Sequence, residues 1–238
     1  MKSIANILLV AMLIISVGNL RAAPANAYEK SVEKEKAEKT LVKAVIALDN
    51  IMEDPENRIP ESLINESEGI VIFPRAIKVA IGAWGGQGGR GIAMIRKEDG
   101  TWSNPFFVTL GEGSLGIQIG AQSSDIILLF KHRIDILEID EAEIMLGGDI
   151  SVAAGPHGKG SSSDTDIKFE SEIYSYSRSK GLFAGASLAG GVLSYNEMVN
   201  ESLYDKDEIN TEDIFYGIET PYNDDVNNLI EALNMYDD

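Results

Sequence analysis

Gly86-Gln87-Gly88-Gly89-Arg90-Gly91 has the G-x-G-x-x-G spacing that lets a backbone approach a pyrophosphate. That chemistry needs the glycines to open a helix whose N-terminus meets the phosphates. Here the next residues, IAMIRKEDG, read as a strand running into a turn, so no nucleotide site is expected. Gly155-Pro156-His157-Gly158-Lys159-Gly160 hints at a phosphate loop, but Gly160 stands where the magnesium-binding hydroxyl belongs. Ser177-Arg178-Ser179-Lys180 matches the S-x-x-K of serine acyl-enzymes, which sits on a helix; this stretch reads as a β-turn. His132 and His157 lie 25 residues apart, outside any HExxH or i, i+4 pair. Asp205-Lys206-Asp207 begins like a calcium loop and lacks its glycine. No catalytic residue, metal, cofactor or nucleotide is expected.

The basic residues are the other chemistry on offer. Lys36, Lys39 and Lys43 form a stripe on a predicted helix, with Lys34 beside it. Arg75, Lys78, Arg90, Arg96, Lys97, Lys131 and Arg133 fall near predicted strand ends. Converging, they would make one cationic patch; dispersed, they are solubilising charge. The chain as a whole is acidic, with 38 Asp and Glu against 20 Lys and Arg, a net charge of −18. That balance argues against nucleic-acid binding and against membrane attraction by overall charge. Any contact with a polyanion must be local.

The elements that would position these residues follow from periodicity. Lys2, the apolar run Ile7 to Val17 and Ala25-Asn26-Ala27 have the three parts of an export signal, so residues 1–27 are expected to be removed. There is no cysteine, hence no disulfide, thiolate metal site or lipidated N-terminal cysteine. The remaining 28–238 is long enough for one sizeable core. Leu41, Val45, Leu48 and Met52 recur at helical spacing and predict an amphipathic helix over 29–53, with a short helix at 61–66.

From Gly69 to Gly120 the chain holds 12 of its 23 glycines among Ile, Val, Phe and Trp. Glycine among β-formers predicts strands that bend or bulge. Separate strands are expected at 70–73, 77–84, 91–97, 102–110, 116–121, 126–130 and 143–154, with a hairpin at Asp99-Gly100. A short helix is expected over 131–138, a polar loop at 155–166, and a hairpin from 167–177 to 181–188 leading to a last strand at 191–195. Residues 197–238, with 13 acids and one base, predict an acidic helical tail that includes a helix at 223–235. The fold class is therefore α+β: a curved, mostly antiparallel sheet or barrel flanked by N- and C-terminal helices.

Six segments in order carry a family likeness: IPESLINESEGIVIFP, GAWGGQGGRGIAMI, GTWSNPFF, GIQIGAQSSDIILLF, LGGDISVAAGPHG and IYSYSRSKGLFAGASLAG. Together they resemble the SYLF domain, a lipid-binding module also described as the actin-binding domain of a yeast endocytic protein. The likeness runs from about Ile59 to Leu193, with residues 28–58 as the N-terminal amphipathic helix, 59–196 as the Gly-rich β core and 197–238 as the tail. It implies non-catalytic binding of membrane phospholipid, of phosphoinositide type or otherwise anionic, with the helix at the membrane. Lys34, Lys36, Lys39 and Lys43 are the candidates on that helix, and Arg75, Lys78 and Arg90 those on the strands. The signal points to an exported protein, periplasmic or extracellular, on an envelope membrane. The alternative is a protein-interaction scaffold with an actin-binding-like surface and an envelope protein partner. Whether the helix inserts in a membrane or caps the sheet stays open at this level.

Overall fold

The computed structural model describes residues 25–54, 58–156, 170–179, 188, 190–217 and 223–237. The expected signal run, the polar loop beyond Pro156 and the second limb of the 167–188 hairpin lie outside the described residues.

Helix α1 (Ala25–Met52) buries a wide stripe: Ala37, Leu41, Ala44, Ala47, Leu48, Ile51 and Met52, with Val45 half-buried. The expected seam is thus present, widened by three alanines that let the helix lie close to its neighbours. Helix α2 (Glu61–Glu66) follows, with Pro60 as its N-cap and Leu63 and Ile64 in the core.

The Gly-rich region forms two long strands in place of the several short ones that local pattern predicts. Strand β1 (Gly69–Ile95) pairs antiparallel with β2 (Phe106–Phe130) along nearly its whole length. The link between them holds the Asp99-Gly100 turn, with Gly100 at φ 85° and Arg96 bridged to Trp102. The residues that read as strand breaks are irregularities within a continuous ribbon. One register shift lies between Phe73 and Ala76, where Arg75 takes φ 62° and its N–H donates to Asp125 Oδ1 at 2.9 Å. A second lies between Gly82 and Trp84. Such bulges bend a ribbon without ending it.

The ribbon folds back on itself. A β-carbon on Gly89 would lie 3.1 Å from Ala76 Cα, and one on Gly91 would lie 2.5 Å from the Phe73 ring and 2.9 Å from the Ile72 carbonyl oxygen. Residues 89–91 therefore run against 72–76, with an elbow between. Only glycine permits that approach, so Gly91→Ala should cost about 1–3 kcal/mol by overpacking, read as a lower urea midpoint with unchanged slope.

The rest of the chain closes around this ribbon. A short helix α3 (Ile134–Leu137) runs into a 3-10 turn, Glu138–Asp140. The strand expected over 143–154 is two pieces, β3 (Ile144–Met145) and β4 (Val152–Ala154). Gly147, at φ 77°, turns the chain between them, and Asp149 Oδ2 accepts from the Met145 N–H. Strands β5 (Ile173–Ser179) and β6 (Val192–Tyr195) both pair antiparallel with β2, at opposite ends. The order is β3-β6-β2-β5-β4 with β1 on β2; β4 and β5 are parallel, so the sheet is mixed. The acidic tail folds as α4 (Glu197–Tyr204), α5 (Thr211–Phe215) and α6 (Asp224–Asn234), each opened by an asparagine cap: Asn196, Asn210 and Asn223. One core joins the helices to the buried ends of the ribbon. The architecture is α+β, a curled sheet with helices from both ends of the chain.

Candidate functional site

Three of the motifs set aside on sequence grounds fall wholly or largely on described residues. Residues 86–91 lie inside β1, with no helix opening after them. Ser177, Arg178 and Ser179 are in strand β5, and the Arg178 guanidinium donates to the Asn50 carbonyl at 2.6 Å. Asp207 pairs with Lys30, and Lys206 with Asp213 at 3.0 Å.

The seven candidate cations divide into two groups. Lys36 and Arg90 are bound within the fold: both reach Glu33 at 2.7 Å, joining α1 to β1. Lys36, then Arg90, hold the Glu33 carboxyl below the ordinary glutamate range against the opposing effect of burial. Lys39 pairs with Glu35 at 2.5 Å on the solvent face of α1. Lys34 and Lys43 are also exposed, as are Val42 and Ile46 next to Lys43. Because the opposite face of α1 is in the core, the helix caps the sheet, and its apolar seam is already occupied.

Arg75 and Lys78 form the second group, on the ribbon near the elbow. Neither makes an ion pair among the described residues. From Gly69 to Lys97 the chain holds five bases and no acid, although acids outnumber bases overall by 18. Two of those five are spent: Arg90 on Glu33, and Arg96 on Asp237. Ile77, Val79 and Trp84 are 56%, 48% and 74% exposed in the same strand, which leaves large apolar side chains in water within nine residues of the two unpaired cations.

Lys97 and Arg133 line a cavity of about 380 Å3 with Glu98, Asp99, Leu137, Phe215 and Tyr216, where the acids cancel the bases. A second cavity, about 430 Å3, is acidic: Asp140, Glu141, Glu143, Glu197 and Glu208 line it with Tyr195 and Ile209. Sequence reasoning misses this one because its carboxylates come from three separate stretches. Among the described residues no group of His, Asp or Glu is arranged to hold a metal, and no helix is long and apolar enough to cross a membrane.

Residues 111–236 match the family model "Ysc84: Las17-binding protein actin regulator". An SH3 domain-containing protein of Schizosaccharomyces pombe is 35% identical over 149 residues, covering 61% of this chain and 34% of that protein. The human SH3 domain-containing YSC84-like protein 1 is 30% identical over 183 residues, 76% of this chain and 52% of that protein. LAS seventeen-binding protein 3 of Saccharomyces cerevisiae is 26% identical over 182 residues, 75% and 39%. The chain thus spans about half the length, or less, of these relatives. The matched region covers more than half of the chain, from β2 through the tail helices, and the chain belongs to the Ysc84, or SYLF, family of binding domains.

Proposed function

We propose that the protein is a non-catalytic module that binds an anionic phospholipid surface, working after export at an envelope membrane. The observation that supports this reading best is the acid-free β1, which carries unpaired Arg75 and Lys78 and exposed Ile77, Val79 and Trp84. In a chain this acidic, the rest of the surface is repelled by anionic lipid, so a local basic stretch orients the molecule. Each base near such a surface contributes about 1 kcal/mol, screened within a Debye length.

The test is flotation with vesicles of phosphatidylglycerol, cardiolipin or phosphatidylinositol against phosphatidylcholine alone. Binding is expected with the anionic lipids and should weaken with salt. Arg75→Glu with Lys78→Glu should weaken it by at least about tenfold, since two attractions become repulsions. No flotation with any anionic lipid would overturn the reading.

A second reading has support of its own. The names of the family and of the yeast relative speak of binding Las17, a protein. The acidic cavity walled by Asp140, Glu141, Glu143, Glu197 and Glu208 would suit a basic segment of a protein partner. If flotation fails while an oligolysine peptide shifts the resonances of these residues, the interaction reading replaces the lipid one.

A further inference from the structure

We infer that the elbow of the β1–β2 ribbon is the part of the chain that enters the membrane, as a shallow wedge between lipid headgroups. The inference rests on the phospholipid reading and assigns the insertion to a place in the fold.

The charge pattern is the first support. Residues 79–89 of β1 and 113–124 of β2 contain no charged residue, in a chain where 24% of residues are charged. They are also paired with each other, Val79 with Ala121, Ile81 with Ile119 and Trp84 with Leu115. Two uncharged segments that are distant in sequence are thus brought to one place. Arg75 and Lys78 lie at one border. The acids that close the β2 segment are Glu112 and Asp125, and Asp125 is occupied by the Arg75 N–H.

Burial is the second. The ribbon's two ends are in the core: Ile70 to Phe73 and Ile92 to Ile95 on β1, Phe106 to Val108 and Ile126 to Phe130 on β2. Between them, none of the described side chains at 77–79, 84–90, 111–113 or 121–125 is buried. Because the ribbon doubles back, this middle part is the stretch farthest along it from both buried ends. An exposed tryptophan at such a site costs solubility, and indole is the side chain that partitions best to the headgroup level.

The backbone is the third. Cross-strand hydrogen bonding along the ribbon engages the peptide groups that face the partner strand, which lowers the cost of leaving water. Helix α1 offers less: its exposed Val42 and Ile46 share their turns with charged Lys39, Lys43 and Asp49, and Leu41, Leu48 and Ile51, at most 1% exposed, could leave the core only by opening it. Cations that stay at the phosphate level while the apolar tip sits deeper are the arrangement expected of a surface-bound wedge.

Trp84 reports this directly, since the chain's other tryptophan, Trp102, is 2% exposed. The purified protein would be mixed with vesicles of phosphatidylcholine and phosphatidylglycerol in equal parts, with bromine on the acyl chains. Sedimentation reads binding; tryptophan emission reads the elbow. The expected result is binding, a blue shift and bromine quenching, all absent with phosphatidylcholine alone, and no quenching in Trp84→Phe. Val79→Asp should weaken binding about tenfold while its thermal unfolding stays that of the parent. Binding without quenching, and unchanged in Val79→Asp, would overturn the wedge and leave the lipid reading standing. Absence of binding would overturn both. A blue shift that tracks protein concentration without lipid would mean that a second copy covers the elbow, and would overturn the wedge.

Discussion

Replacing Arg96 by alanine will lower the stability of the protein by about 3–5 kcal/mol, the range for breaking a largely buried charge network from one side. Arg96 lies at the end of β1, and its side chain is 14% exposed. All five of its N–H donors are used. Nη1 and Nη2 hold the Asp237 carboxylate at 2.6 and 2.8 Å. Nε donates to the Ser67 carbonyl at 3.0 Å, Nη2 to that of Ile64 at 2.9 Å and Nη1 to that of Gly100 at 3.0 Å. The Ile64 and Ser67 carbonyls lie at the C-terminal end of α2, where carbonyls run short of helical N–H partners; that of Ile64 also accepts from the Ser67 N–H and hydroxyl. The guanidinium also lies over the Trp102 ring, 4.3 Å from its centroid. One side chain therefore ties α2, the β1–β2 turn and the residues after α6. Lysine would not rescue it: three donors on a point charge cannot reproduce a planar fork. Urea unfolding of Arg96→Ala and Arg96→Lys checks this. A loss under about 1 kcal/mol in either, the size of an exposed ion pair, would show that the network is not held by this residue. Asp237→Asn gives a separate readout, because it keeps the shape and removes only the charge on the far side.

Little of that network is visible in the sequence. Arg96 stands there as one of several basic residues near strand ends, and its carboxylate partner is 141 residues away. The same holds for Arg90, whose partner Glu33 is 57 residues back on α1. Local patterns carry side-chain type and period. They are enough for α1, α2, the Asp99-Gly100 turn and the tail helices, since each of these is decided by residues within a few positions. They are not enough for β1 and β2. Pro74 and the glycines from 85 to 89 are strand breakers by local rules, and they sit within a continuous ribbon only because the other strand is there to pair with. The glycines at 147 and 148 show the opposite failure, a turn inside a stretch whose apolar residues read as one strand. For the candidate site, Arg75 and Lys78 are legible because they interrupt apolar runs. Their freedom from ion-pair partners is not, since it depends on where every carboxylate ends up. The exposure of Ile77, Val79 and Trp84 is hidden for a related reason. Apolar residues in a β pattern read as core, and only the folding back of the ribbon leaves them outside.

Asn200→Leu is expected to cost about 1–3 kcal/mol, the cost of one backbone N–H left without a partner in the interior. Asn200 is fully buried on α4. Its Oδ1 accepts from the Phe107 N–H at 2.6 Å, and its Nδ2 donates to the Phe107 carbonyl at 3.0 Å. The amide thus behaves toward β2 as a neighbouring strand would, satisfying both polar groups of one residue. It takes over just past the last residue of the β2–β6 pairing, where Val108 meets Tyr195. The Asn196 N–H donates to the same Phe107 carbonyl at 3.0 Å, so leucine would leave the N–H wholly unpaired and the carbonyl with one partner of two. Leucine matches asparagine closely in size, so a cavity contributes little and the loss isolates the hydrogen bonds. Asn200→Asp provides the contrast. It keeps the acceptor and loses the donor, and it puts a charge where the neighbours Asn196, Phe107 and Tyr195 offer no base to pair with. It should be at least as damaging near neutral pH and recover as the carboxyl is protonated, since a buried unpaired carboxyl favours its neutral form. Stability measured for both variants at neutral and acid pH separates the two causes. A leucine variant as stable as the parent would show that water reaches Phe107 and that α4 is held to the sheet by its apolar residues alone.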